Sequence, residues 1–240
     1  MNNLRKIIVN FLFISVLFGS ISCSKETEEP EYSIIPTIEL SDIYFVKSDS
    51  YEYKDTLALK IKYTDGDADF GLDDSFTEAP YNTLNYFLKN DGSYLTYSDR
   101  NTPPYDTLPP YEFPYYCYNY AIDWENNCDI DTFYVQQNRN HYNIFIDYYR
   151  KKEGKYELFD FKTTFGQNCG ENYYGRIEGP SIYGVPLKSG KIEYPMWGAR
   201  LYVIFKNDTL KLKIQIQDRA LNKSNIIETP EFTLQEITKD

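Results

Sequence analysis

Leu210-Lys211-Leu212-Lys213-Ile214-Gln215-Ile216-Gln217 alternates apolar and polar side chains at every step. A period of two puts Leu210, Leu212, Ile214 and Ile216 on one face of an extended strand and the lysines and glutamines on the other. This is the pattern of an antiparallel sheet with one buried and one wet face. Thr56 to Thr64 repeats it, with Leu57, Leu59, Ile61 and Tyr63 against Ala58, Lys60, Lys62 and Thr64. Working outward, Thr37 to Val46, Asn143 to Arg150, Lys155 to Phe161, Lys191 to Tyr194, Arg200 to Lys206 and Ile226 to Leu234 read as further strands, while helical spacing never persists beyond about two turns. Lys151-Lys152-Glu153-Gly154 and Asn207-Asp208 are turn chemistry between apolar runs and predict two hairpins. The fold class is all-β.

Proline breaks this regularity in one place. Pro103, Pro104, Pro109, Pro110 and Pro114 are interleaved with Tyr105, Tyr111, Tyr115 and Tyr116, which predicts a long irregular insertion over about residues 91–140. The 25 tyrosines are otherwise spread along the chain and suit pleated, half-wet surfaces, because the ring packs while the hydroxyl stays hydrated.

The N-terminus carries Arg5 and Lys6, an apolar run from Ile7 to Phe18, and the small residues Gly19, Ser20 and Ser22 directly before Cys23. The run is shorter than the roughly 20 residues that a bilayer-spanning helix needs, and it reads as a secretory signal over residues 1–22. Gly19 to Cys23 resembles a bacterial lipoprotein box, with Ser20 where that pattern prefers Leu, which implies a lipid on Cys23. The segment Ser24-Lys25-Glu26-Thr27-Glu28-Glu29-Pro30-Glu31 is similar to the acidic signals that carry lipoproteins of Bacteroidota to the outer cell surface. Residues 23–35 are then an acidic tether and 36–240 the folded domain, attached to the outer membrane through the lipid anchor alone.

Removing the signal takes away Arg5 and Lys6, leaving 23 basic against 36 acidic residues and a net charge of −13. Phosphate repulsion at that charge excludes nucleic acid as a partner and favours cations and neutral polymers. Three cysteines remain beside Cys23. In an oxidising compartment Cys117 and Cys128 are the favoured disulfide, since they enclose a short loop with Asp123, Asn126 and Asn127, and pairings with Cys169 stay open. With His141 as the only histidine and no zinc-type spacing, a zinc site is not expected.

The sharpest local motif is Asp65-Gly66-Asp67-Ala68-Asp69-Phe70-Gly71, followed by Asp73 and Asp74. Carboxylates at alternate positions of a tight loop can wrap their oxygens around one hard cation, and Ca2+ is the expected ion. It is not an EF-hand, because glycine is missing at the sixth position and Phe76 stands at the twelfth. Asp218-Arg219-Ala220-Leu221-Asn222-Lys223-Ser224-Asn225 resembles the loop between the last two strands of bacterial immunoglobulin-like domains, where an Asp and an Asn tie the turn down. The resemblance implies an antiparallel immunoglobulin-like β-sandwich in which both acidic loops share one end, so Asp65, Asp67, Asp69, Asp73, Asp218 and Asn222 form the expected metal set. Asp218 and Asn222 also have a purely local role open to them, capping their own turn. Together, the two loops and the lipidated N-terminus resemble a group of uncharacterised Bacteroidota cell-surface lipoproteins. That group usually has glycine where this chain has Ala68.

No catalytic motif stands out. There is no Gly-x-Ser-x-Gly, no protease-type cysteine signature, and His141 has no nucleophile pattern beside it. The expected function is a non-enzymatic binding or interaction module displayed at the surface, with a glycan or surface protein as partner. The alternative is a carbohydrate-binding or carbohydrate-degrading accessory, with Trp124 and Trp197 stacking on sugar rings. Asp55-Thr56-Leu57, Asp106-Thr107-Leu108 and Asp208-Thr209-Leu210 match the Asp-Thr-aliphatic pattern at which Bacteroidota attach O-linked glycans, Thr107 being the most accessible.

Overall fold

The computed structural model describes residues 31–48, 55–108, 133–164, 173–182, 184–198 and 201–239. The signal segment, the lipidation candidate Cys23, the stacking candidate Trp124 and the disulfide candidates Cys117, Cys128 and Cys169 lie outside these residues.

Two antiparallel sheets carry the body. In the first, β1 (Thr37–Val46) pairs with the central β2 (Thr56–Thr64), which pairs on its other side with β9 (Ser189–Trp197). In the second, the order is β11 (Ile227–Glu228), β10 (Leu210–Ile216), β5 (Ile144–Lys152) and β6 (Lys155–Leu158). One core cluster draws on both: Leu57, Leu59, Ile61 and Tyr63 from the first sheet, Leu210, Leu212, Ile214 and Ile216 with Ile144, Ile146 and Tyr148 from the second. The four β10 side chains are fully buried, and at about 2 kcal/mol each their removal from water contributes on the order of 8 kcal/mol as an upper bound. Lys211, Lys213 and Gln215 stay half-exposed between them, so the alternation in the sequence is the alternation of burial. Ala58 departs from it. It is buried on the outer face of β2, between its cross-strand partners Tyr44 and Pro195.

Two short pairs lie outside the main sheets: β3 (Leu84–Tyr86) with β4 (Val135–Gln137), inside the long β2–β5 connection, and β7 (Ser181–Ile182) with β8 (Val185–Pro186). The connection is tied to the body by Arg176, whose guanidinium donates to the carbonyls of His141 (2.7 Å), Asp73 (3.0 Å), Phe76 (2.7 Å) and Tyr81 (3.2 Å). A single helical turn, α1 (Phe161–Thr164), follows β6.

The β5–β6 hairpin forms as expected. Glu153 and Gly154 both take positive φ (49° and 80°), the turn that matches strand twist. The second expected hairpin does not form. Arg200 to Lys206 is not a strand: Leu201–Phe205 makes a helical turn, α2. The reason is topological. β9 belongs to one sheet and β10 to the other, so the chain crosses between layers, and a helical turn buries Leu201 and Phe205, four apart, while Val203 stays exposed. The C-terminal strand is also shorter than Ile226 to Leu234, because Pro230 interrupts it after Glu228. Among the described residues, no helix is long and apolar enough to cross a membrane.

Candidate functional site

β2 ends at Thr64 and β10 at Ile216, and the loops that follow them meet. The N–H groups of Ala220 and Arg219 donate to Asp69, the first to its carboxylate Oδ2 at 2.9 Å and the second to its carbonyl at 3.4 Å. Asp65, Asp69 and Asp218 each present a carboxylate oxygen within 4.8 Å of the other two. Asp65 is fully buried, its N–H bonded to the Lys188 carbonyl and its Oδ2 accepting from Phe70 N–H at 2.6 Å. Its Oδ1 and the Oδ1 of Asp69 are buried without a hydrogen-bond partner.

The electrostatics follow from this crowding. Burial pushes Asp65 up to about 7, against the pull of the Phe70 N–H, and a side-chain hydrogen bond with Asp67 and then the charges of Asp67 and Asp69 add to it. Asp69 is raised by burial and then by Asp218 and Asp67. Asp218 is raised by burial, although Asn222 opposes the rise with its backbone N–H at 2.7 Å and side-chain amide at 2.9 Å. The nearest cation, Arg219, donates to the Gly71 carbonyl at 3.1 Å and lies over the Phe76 ring, so it does not pair with any of the three.

Of the six expected ligands the structure brings three together. Asp67 is exposed at the rim, near enough for its charge to act on all three. Asn222 turns its amide N–H onto Asp218 and caps its own turn. Asp73 points away and is occupied by the N–H and hydroxyl of Ser75, whose hydrogen bonds lower its pKa. Ser224 and Asn225 complete the second loop by bonding to Ile216 and Ile38.

A second feature lies at the free edge of β9. Tyr173, Tyr174, Arg176, Ile177 and Glu178 face Tyr194, Pro195, Met196 and Trp197 across a cleft of about 710 Å³. Trp197 is 66% exposed there, whereas Phe45, Tyr148 and Phe205 are sealed between the layers. The opposite wall is held to β5 by Asn143, which donates to the Ile177 carbonyl at 2.9 Å and accepts from the Ile177 N–H at 2.7 Å. Trp197 was visible in the sequence as a sugar-stacking candidate. Tyr173, Tyr174 and Tyr194 were not, because the adjacent Tyr173 and Tyr174 and the distant Tyr194 come from two segments that share no local pattern.

The remaining candidates have structural partners. His141 Nδ1 faces the Tyr81 carbonyl at 3.0 Å, which makes it the protonated nitrogen. Asp55 accepts from Ser48 and Tyr202 N–H groups, and Asp208 pairs with Arg150 at 3.2 Å. Of the three Asp-Thr-Leu threonines, Thr107 is the exposed one. No known protein family, curated protein or solved structure matches this chain.

Proposed function

We propose that this chain is a non-enzymatic binding module of immunoglobulin-like β-sandwich architecture, held at the outer cell surface by a lipid on Cys23, and that its ligand occupies the cleft beside β9. The strand orders support the architecture: β1-β2-β9 against β11-β10-β5-β6 is the A-B-E and G-F-C order of such sandwiches, with β6 added beside C. The observation that carries the binding role is the cleft itself. It is lined by the exposed indole of Trp197, by Tyr173, Tyr174 and Tyr194 and by Glu178, while Glu193 at its margin already accepts from the Tyr44 hydroxyl and pairs with Lys60.

That lining favours a neutral saccharide. Indole and phenol faces pack against the C–H face of a sugar ring, while carboxylates and hydroxyls take its hydroxyl protons. Pro195 argues against the other use of a free edge, the addition of a peptide strand, since it removes a backbone donor from β9. The test is a glycan and surface-protein array probed with the soluble chain from Ser24 onward, as wild type and as Trp197→Ala. Glycan signal lost in the variant supports the reading. Binding to nothing, or equally by both proteins, overturns it.

A further inference from the structure

We propose that Asp65, Asp69 and Asp218 form a calcium site that clamps the loop after β2 to the loop after β10. This site is independent of the cleft and of what the cleft binds.

The ligand geometry fits. With calcium–oxygen distances of about 2.4 Å, the oxygens of one coordination sphere lie at most about 4.8 Å apart, and the three carboxylates supply oxygens within 4.8 Å of one another. The donors are all hard oxygens with no nitrogen or sulfur among them, which selects a calcium-type ion over zinc or copper. The loops supply ligands from two distant parts of the chain, an arrangement that tolerates the larger, irregular calcium sphere better than the octahedron that magnesium demands.

The strongest support is what the cluster leaves unsatisfied. Asp65 is a fully buried carboxylate with one oxygen bonded to Phe70 N–H and no N–H donor on the other, its further side-chain neighbour within hydrogen-bond reach being another carboxylate, Asp67; Asp69 repeats the deficit with its own buried Oδ1. Buried anionic oxygens without donors carry a heavy desolvation cost unless a cation meets them. Among the described residues none of the three is in an ion pair, and Arg219, the one guanidinium within reach, is aimed elsewhere. The surroundings are fixed around this gap rather than collapsed into it. The Gly66 N–H donates to the Ser33 carbonyl at 2.8 Å, and the Tyr81 hydroxyl donates to the Arg219 carbonyl.

Calcium would replace mutual repulsion with shared ligation and lock the entry of the chain, at Tyr32 and Ser33, onto the same end of the fold. The experiment uses the chain from Ser24 onward, stripped with a chelator, and measures melting temperature and calcium heats of binding. Calcium at about a hundred times its dissociation constant is expected to raise the wild-type melting temperature by on the order of 5 to 10 °C. Asp69→Asn and Asp218→Asn should melt at or above the stripped wild type and show no calcium response. Terbium supplies a second readout: emission sensitised through Tyr63 and Tyr81, displaced by calcium, and absent in both variants. If one variant fails to fold, the other and the terbium signal decide. A wild type indifferent to calcium, or variants that respond equally, overturns the site and leaves a cluster that simply holds protons.

Discussion

The side-chain amide of Asn225 closes on the peptide of Ile38 from both ends, accepting from the Ile38 N–H at 2.9 Å and donating to the Ile38 carbonyl at 3.0 Å. One residue earlier, Ser224 Oγ accepts from Ile216 N–H at 3.0 Å and donates to the Asn225 carbonyl at 2.7 Å. The end of the second acidic loop therefore ties the last long strand of one sheet to the first strand of the other. Asn143 makes the same two-way bond with Ile177 beneath the cleft.

Breaking the first of these clamps should loosen the contact between sheets without touching the core. Asn225→Ala removes two hydrogen bonds that water can partly replace, so a loss of about 1 to 2 kcal/mol is expected. Asn225→Asp keeps the acceptor but sets a carboxylate oxygen against the Ile38 carbonyl, and should lose at least as much as alanine. Urea unfolding measures both. An alanine variant within a few tenths of a kcal/mol of wild type would mean that the clamp reports geometry and adds no stability.

The acidic loop contains a second, opposite pair of effects. Ala68 has φ of 58°, a conformation that costs a residue with a Cβ roughly 1 kcal/mol. Gly66 has the reverse problem, because a Cβ there would sit 2.2 Å from the Tyr32 carbonyl oxygen. Ala68→Gly is expected to be neutral to stabilising by roughly 0.5 kcal/mol, relief of strain being partly offset by the freer unfolded chain. Gly66→Ala should destabilise by about 2 kcal/mol or more, since backbone and not a movable side chain must give way. Thermal melts of the two single variants should move in opposite directions; a stable Gly66→Ala would contradict the close approach.

How much of this was readable in the chain depends on whether a residue's role is set by its neighbours in sequence or in space. β2 and β10 were legible because each keeps one face wet, so burial itself has a period of two. β9 was visible only at Lys191 to Tyr194, since Gly190 and Pro195 interrupt the strand pattern that the pairing with β2 in fact extends to Trp197. Leu201 to Phe205 misled for a different reason: an unbroken apolar run fits either period, and only the need to change sheets selects the helical turn. The acidic pole could be read because the first loop places Asp65, Asp67 and Asp69 within five residues, while Asp218, the one carboxylate of the second loop, directly follows the alternating β10 segment. The cleft could not, because Tyr173, Tyr194 and Trp197 converge only after β5 and β9 are in place.

The buried phenols make a prediction about alkaline pH. Tyr148 is fully buried, donates to Met196 Sδ at 3.1 Å, and is held well above its usual pKa by burial and then by Tyr173 and Tyr194. Burial pushes Tyr173 and Tyr194 up to about 12. Between about pH 10 and 12 the folded chain keeps protons that the unfolded chain has released, so stability falls as pH rises. Below about pH 10 both states are protonated at these phenols and their contribution is constant. The urea midpoint should be level to about pH 9.5 and then decline, with a shallower decline in Tyr148→Phe. A midpoint that stays flat to about pH 11.5 would show that these phenols ionise as freely in the fold as out of it.

The proposed surface display rests on a lipid at Cys23, and that proposal predicts where the protein partitions. The apolar run from Ile7 to Phe18 is too short to anchor by spanning, and it is removed if the signal is cleaved before Cys23. From Ser24 to Glu31 the chain is polar and acidic, so under the proposal the membrane affinity left after cleavage would come from lipid on the cysteine sulfur. A diacylglyceryl thioether supplies two acyl chains, enough for stable attachment where one chain would be marginal. The −13 charge of the mature chain adds no attraction to an anionic surface, so high salt should not release the wild type. Cys23→Ala should abolish lipidation and move the protein from the membrane pellet to the soluble or retained-precursor fraction, with mass spectrometry showing the loss of the lipid. A Cys23→Ala chain that still pellets with membranes as the mature protein would assign the attachment to the folded domain instead, through exposed apolar residues such as Val185, Val203 and Ile226.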